Sequence, residues 1–349
     1  MVKKLSLLLI VFSITAASLT AQSSVFHHLF SKVDNMLAKM EGSGVDTNYI
    51  GVHKHHWSIF VNRYLSDMNL NIISNLDPDF FGRVDIKIDT DPQKQMAIGA
   101  YYRGYGFSYS WDTQKGYRKD LSFSTYSSPV GMELRYHKTN MIHGTIHAGI
   151  LDELYKQGLI PDDTMKINSG AAKVTSFILN AYYLFNTKTF SYSSALTYNT
   201  YQKKSAGSFF AGVTIHQQRL SFDDEVLSLM AQLNSVRSRQ LSLGLGYAYN
   251  WVINPNLLFH SSVLPMLLIT DKHGSYAKDW DDKMSKVFGD KTRVTYNYVL
   301  RGSLSYRWGH DRFQVGIAGL YNNFRVGKKK SYYVFSDDWT VRTFFCVRF

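Results

Sequence analysis

From Trp57 onward the chain alternates between apolar and small or polar residues with a period of two, the pattern of β-strands that show different faces to different surroundings. Between Arg239 and Trp251 one face carries Leu241, Leu243, Leu245, Tyr247, Tyr249 and Trp251. The other carries Gln240, Ser242, Gly244, Gly246, Ala248 and Asn250. The segment 293–308 repeats the theme, with Tyr296, Tyr298, Leu300, Leu304, Tyr306 and Trp308 opposite Asn297, Arg301, Ser303, Ser305 and Arg307. At the C-terminus Trp339, Val341, Thr343, Phe345, Val347 and Phe349 alternate with Arg342, Phe344, Cys346 and Arg348. Further strands are predicted over 57–74, 82–90, 95–111, 119–127, 130–149, 172–185, 189–200, 207–221 and 257–269, some of these ranges holding two.

Aromatics gather where the alternating runs end, as they do at the two interfaces of a membrane. The expected fold is therefore all-β: a transmembrane antiparallel up-and-down β-barrel of about twelve strands, fourteen being the other count. Asn254-Pro255-Asn256 and Gly309-His310-Asp311 read as tight turns, and 222–236, 270–292 and 327–338 as long loops on the opposite side. Two of these loops carry helical stripes, Val226, Leu229, Met230 and Leu233 in one and Trp280, Met284, Val287 and Phe288 in the other. Counting strands back from Phe349 sets the long 150–170 segment on the tight-turn side, at odds with its length.

The first residues read differently. Met1-Val2-Lys3-Lys4 precedes an apolar run from Leu5 to Ile14 and a small, polar stretch to Ala21. That order is a secretory signal peptide over 1–21, with cleavage near Ala21, and the run is too short for a membrane helix. In 22–48 the residues Phe26, Leu29, Phe30, Val33, Met36, Leu37 and Met40 recur at helical spacing, so a short amphipathic helix over 24–41 is expected on the periplasmic side. The barrel is expected over 49–349, in the outer membrane of a Gram-negative cell.

Composition fits an exported barrel. Aromatics make up 15% of the chain, mean hydropathy is -0.20 and Pro occurs 6 times. The single Cys346 forms no internal disulfide and no cysteine metal cluster. The net charge of +12 suits loops and lipid headgroups, and export argues against a nucleic-acid partner.

The run Asn180-Ala181-Tyr182-Tyr183-Leu184-Phe185-Asn186, followed by Phe190-Ser191-Tyr192 and by Gln202-Lys203-Lys204-Ser205-Ala206-Gly207-Ser208-Phe209, resembles a block of the bacterial domain-of-unknown-function family 4421. Asp46-Thr47-Asn48-Tyr49-Ile50 resembles its opening motif, and Tyr102-Arg103-Gly104 also fits. Thr189 and Ser194 depart from the pattern, where a basic residue and an alanine are expected. The resemblance runs from about residue 46 to the end. It implies an exported barrel-like protein and carries no reaction, ligand or catalytic residue.

If the apolar faces meet lipid, the opposite faces line the lumen. The expected lining residues are Arg83, Asp85, Lys87, Glu133, Arg135, Arg293, Arg301, Arg307, Arg342 and Arg348, with basic residues in excess. Two readings stand side by side. One is a small channel with a net basic lumen that passes a small anionic solute. The other is a closed barrel, filled by paired side chains, that presents its loops.

No catalytic, metal or cofactor site is expected. His143 and His147 are four apart, but no cysteine or acidic partner sits at ligand spacing nearby, and His53, His55 and His56 read as rim residues. Neither G-x-S-x-G nor H-E-x-x-H occurs. Ser205-Ala206-Gly207-Ser208 reads as a tight turn. The alternatives are a lipid-modifying enzyme active at the rim and a scaffold that docks a partner through the N-terminal helix. Outer-membrane lipid and, through Phe349, the barrel insertion machinery are the expected partners.

Overall fold

A computed structural model describes residues 31–32, 44–74, 83–89, 93–113, 118–126, 129–141, 143–167, 172–222, 235–276, 295–325 and 332–349. The expected signal peptide, and all of the expected N-terminal helix but helical Ser31 and Lys32, lie outside these residues. Arg293 and the two loop stripes lie outside them as well.

In chain order the strands begin with β1 (Ile50–Val52), β2 (Trp57–Ser74), β3 (Val84–Asp89), β4 (Gln93–Tyr102), β5 (Tyr105–Asp112) and β6 (Lys119–Tyr126). They continue with β7 (Val130–Met141), β8 (His143–Ala148), β9 (Thr164–Ile167), β10 (Ala172–Leu184), β11 (Thr200–Gln202) and β12 (Ala206–Phe222). The last are β13 (Ser235–Asn254), β14 (Leu257–Tyr276), β15 (Tyr296–Trp308), β16 (Phe313–Arg325) and β17 (Tyr332–Arg348). Helix α1 (Gly149–Lys156) follows β8, and the single turn α2 (Ser193–Leu196) precedes β11.

Twelve strands close a ring in the order β2, β4, β5, β6, β7, β10, β12, β13, β14, β15, β16, β17, every neighbour antiparallel. The seam is the β17–β2 pair, in register from Arg348 opposite Ser58 to Tyr332 opposite Ser74. Phe349 adds a last rung: its N–H donates to the Trp57 carbonyl at 3.0 Å, and the Trp57 N–H donates to its carbonyl at 3.3 Å. Closure leaves no open edge within the ring itself.

Outside, the wall is apolar and exposed, with Ile59, Val61, Ile98, Leu243, Leu300 and Ile317 among the exposed residues. At the end of the barrel that holds Phe349 the apolar belt gives way to packed aromatics. Tyr249, Trp251 and Phe259 follow one another at ring-centroid spacings of 4.5 and 5.1 Å, and Trp308 packs on Phe313 at 5.7 Å. Inside, the wall is polar or small, with Asn62, Ser176, Thr214, Ser242, Asn250 and Ser303 all buried.

Strand β2 is longer than its neighbour. Its first part pairs with β4 and its last part, from Asn69 to Ser74, pairs with β3. From there β3, β8 and β9 extend the sheet beyond the ring. The inward face of this extension carries Leu70, Ile72, Val84, Ile86, Ile88 and Ile146, all buried. Met68 reaches right across the barrel to Gln218 of β12. An apolar layer therefore fills the end remote from Phe349.

Several expectations need correcting, among them the loop over 327–338, of which residues 332–338 belong to β17. The segment 189–200 is not a strand but part of an inward fold between β10 and β12, and its residues Phe190, Tyr192, Ala195 and Leu196 are buried. Removing that strand from the count moves 150–170, which holds α1, to the same side as the other long loops. Ser205-Ala206-Gly207-Ser208 is not a turn either, since β12 starts at Ala206.

The small residues on the inner face of β13 have a packing cause. A Cβ at Gly246 would lie 2.4 Å from the Val263 carbonyl oxygen and 2.6 Å from the Phe210 ring, whereas one at Gly319 meets open space. Gly246→Val is expected to cost about 1–3 kcal/mol and Gly319→Val to be near neutral. The check is the temperature at which the compact, unboiled form on a detergent gel converts to the unfolded one.

Candidate functional site

The interior is organised around residues 185–205, a plug that enters the barrel from the end where Phe349 pairs with Trp57. Its residues are mostly large or small apolar groups and hydroxyls, so it packs on all sides. Tyr192 stacks on Tyr182 of β10 at 4.9 Å, and Tyr198 on Phe344 of β17 at 4.3 Å. Tyr198 has φ +61, a left-handed turn that a non-glycine residue adopts only where its surroundings hold it.

Two amides shape the plug. Asn186 Nδ2 donates to the Thr189 hydroxyl at 2.7 Å and to the Gly207 carbonyl at 2.9 Å. Gln202 Nε2 donates to the carbonyls of Thr189 at 2.6 Å and Lys204 at 3.0 Å, and its Oε1 accepts from the Ser191 N–H at 3.1 Å. Short β11 then pairs with β1, with Ile50 opposite Gln202. The serines are bound up in the same fold: Ser191 and Ser194 share the Thr200 hydroxyl at 2.7 and 3.0 Å, and Ser208 accepts from the Asn186 N–H at 2.9 Å.

The wall grips the plug by its backbone. Asn250 of β13 donates to the Ser191 carbonyl at 2.8 Å, and Ser303 of β15 to the Ala195 carbonyl at 3.1 Å. Arg342 of β17 donates to the Leu196 carbonyl at 3.1 Å, and Arg348 to the Tyr198 carbonyl at 2.8 and 3.2 Å. Four side chains from three strands thus satisfy carbonyls that a buried irregular segment would otherwise leave unpaired.

Above the plug lies a chamber of about 70 Å³, lined by Tyr64, Tyr101, Tyr126, Glu133, Arg135, Leu196, Arg301, Thr340 and Arg342, among others. Arg301 donates to Glu133 at 2.9 Å, and the Arg135 guanidinium lies 3.6 Å from the other oxygen of the same carboxylate. On the side away from the plug, buried Arg118 faces Asp120 at 3.2 Å and Asp338 at 3.8 Å.

Of the lining residues expected from sequence, Glu133, Arg135, Arg301 and Arg342 come together around this chamber. Arg307 and Arg348 stand lower, at the mouth. Arg307 lies 3.2 Å from Asp311 and 4.1 Å over the Tyr201 ring of β11. Arg83, Asp85 and Lys87 do not stand on a wall strand of the ring. Arg83 precedes β3, Asp85 and Lys87 belong to it, and Arg83 pairs with Asp85 at 3.1 Å. They also lie on the face opposite buried Val84, Ile86 and Ile88, so the expectation that they line the lumen is overturned: in this extension the apolar face turns inward and the charged face outward.

The sequence reading missed one constellation. His147 of β8 has Asp152 of α1 at 3.3 Å and Asp163 at 3.8 Å, and their ligand atoms all lie within 4.8 Å of one another. The group has the atoms to hold a divalent cation or to form a solvated ion-pair triad. Asp152 and Asp163 are brought beside His147 by α1 and the turn after it, which spacing alone does not show.

At the mouth, His53 is buried against Tyr201, with ring centroids 5.1 Å apart, and its Nδ1 lies 3.7 Å from Asp311. Burial, more than the opposing pull of Asp311, lowers its pKa from 6.5 to about 4. Neutral His53 is favoured in the folded state, so its contribution is complete above pH 6.5 and is lost as pH falls from 6.5 towards 4. The loss amounts to at most about 3 kcal/mol. Protease cutting within 46–56 is expected to rise across this window, and His53→Gln to flatten the dependence.

Comparison with known proteins adds the following. No curated protein matches the sequence. Among solved structures, the translocator domain of autotransporter NalP from Neisseria meningitidis shares 11% identity at a TM-score of 0.37, over 92% of this chain and 96% of that one. The outer membrane protease OmpT of Escherichia coli shares 7% at 0.38, over 89% and 100%. The toluene transporter TodX of Pseudomonas putida shares 8% at 0.31, over 89% and 94%. The family model described as a domain of unknown function (DUF4421) matches residues 44–349, so the chain belongs to that family.

Proposed function

We propose that this protein is an outer-membrane barrel held closed by its own 185–205 segment, presenting its long loops at the cell surface and a blind basic chamber within. The membrane assignment rests on the apolar belt with its aromatic border, a surface that water would not tolerate at that extent, and on the signal-peptide pattern of residues 1–21. Lipid is the partner of the belt. Exposed Phe349, at the rim and paired with Trp57, is the group the insertion machinery would read.

The observation that carries the closed reading is the capture of the Ser191, Ala195, Leu196 and Tyr198 carbonyls by Asn250, Ser303, Arg342 and Arg348. A segment gripped at four points is a stopper rather than a loosely hung loop. The role is read as non-enzymatic: the block's serines hold the plug together, and Ser205 accepts from the Val252 N–H at 2.9 Å. The basic chamber supports a second reading, in which the plug is a gate and the opened lumen prefers anions.

Planar-bilayer recording separates the two. The folded wild-type protein is expected to give no steady current. Arg342→Ala combined with Arg348→Ala removes two of the four grips and is expected to produce channel openings with a reversal potential favouring chloride. Steady wild-type conductance would contradict the closed reading, and silence in the double variant would contradict the grip.

A further inference from the structure

We propose that the chamber above the plug binds one small monovalent anion, of the size of a halide or formate, between Arg135, Arg301 and Arg342. The inference rests on the reading of the plug as the chamber's floor. Its starting point is charge. Among the described residues, three guanidinium groups line the chamber and one carboxylate, Glu133, answers them. That carboxylate is shared, with Arg301 at 2.9 Å and Arg135 at 3.6 Å, and it also accepts from the Tyr126 hydroxyl at 3.2 Å. The contact of Arg342 with the plug is to a neutral carbonyl, that of Leu196. The carboxylates on the far side, Asp120 and Asp338, face Arg118, and neither lines the chamber.

An excess of positive charge enclosed at membrane depth is costly unless a counter-charge joins it. The chamber has the means to accept one. Thr340 is 7% exposed, lines the cavity and has a buried hydroxyl with no hydrogen-bond partner among the described residues. It stands two residues from Arg342 on the same inward face of β17, so its donor and the guanidinium address one space. A volume of about 70 Å³ holds a few waters, or a small anion with some of them, and excludes a sugar or a lipid headgroup.

The test compares bromide with gluconate, a monovalent anion too large for the cavity, at equal ionic strength. The full-length folded protein in detergent is refolded in each salt, and its thermal unfolding midpoint is followed against bromide concentration. The wild type is expected to show a saturable rise with bromide that gluconate does not give. Removing a positive charge, as in Arg135→Gln, should raise the half-saturating bromide concentration by about tenfold or more. Removing the competing carboxylate, as in Glu133→Gln, should lower it.

Opposite shifts in two variants of one cluster are not produced by general loss of packing. Where a variant fails to fold, the anomalous signal of bromide in crystals of the wild type decides, with the expected peak between Arg301 and Arg342. Equal midpoints in bromide and gluconate, shifts of the same sign in both variants, or no bromide in the chamber would overturn the proposal. A protein silent in bilayers but indifferent to bromide would lose the anion site and keep the plug.

Discussion

Hydrocarbon offers no hydrogen-bond partner, so a sheet that lies in it must pair every strand with two others. The β17–β2 seam meets that requirement, down to the Trp57–Phe349 rung. Once the ring closes at twelve strands, the rest follows as a problem of filling. The outer face is apolar, the surface that the proposed lipid contact requires. The inner face is left enclosing more space than its own serines, asparagines and glycines occupy. The chain fills that space from both ends, with the 185–205 plug at the Phe349 end and the apolar inward face of β3 and β8 at the other.

The polar interior and the plug depend on each other. An irregular segment brings unpaired carbonyls into the barrel, and inward donors on β13, β15 and β17 receive them. Those donors include two arginines, whose buried charge needs polar partners in turn. The plug's own amides, Asn186 and Gln202, fix its shape, so the wall grips a formed object rather than a flexible strap. Between plug and apolar cap the charges sort into layers: Glu133 with Arg135, Arg301 and Arg342 next to the plug, and Arg118 with Asp120 and Asp338 beyond. The chamber is what remains where these layers do not touch.

The wall was legible in the sequence because lipid and interior differ so sharply: β2, β13, β15 and β17 follow from alternation alone, as do the inward positions of Arg301, Arg342 and Arg348. The plug was not legible, for the converse reason. Phe190, Tyr192, Ala195, Leu196 and Tyr198 are buried on every side, so no face contrasts with another, and the run reads as one more strand. That error displaced the 150–170 segment to the wrong side. The resemblance block fell on the plug, yet residue types alone did not reveal that Asn186, Gln202 and Ser208 work as internal staples. The His147, Asp152 and Asp163 group was hidden because its members meet only through tertiary folding.

The native thiol reports directly on the central claim that the plug occupies the barrel. Cys346 is fully buried, inward on β17, in a cluster with Phe60, Tyr101, Phe344 and the plug residue Tyr198. The measurement is the rate at which a small water-soluble maleimide modifies Cys346 in the folded, detergent-solubilised protein. A seated plug predicts negligible labelling over a time in which the unfolded chain reacts completely, with Tyr198→Ala speeding the reaction. Labelling of the folded wild-type protein as fast as the unfolded chain would contradict it.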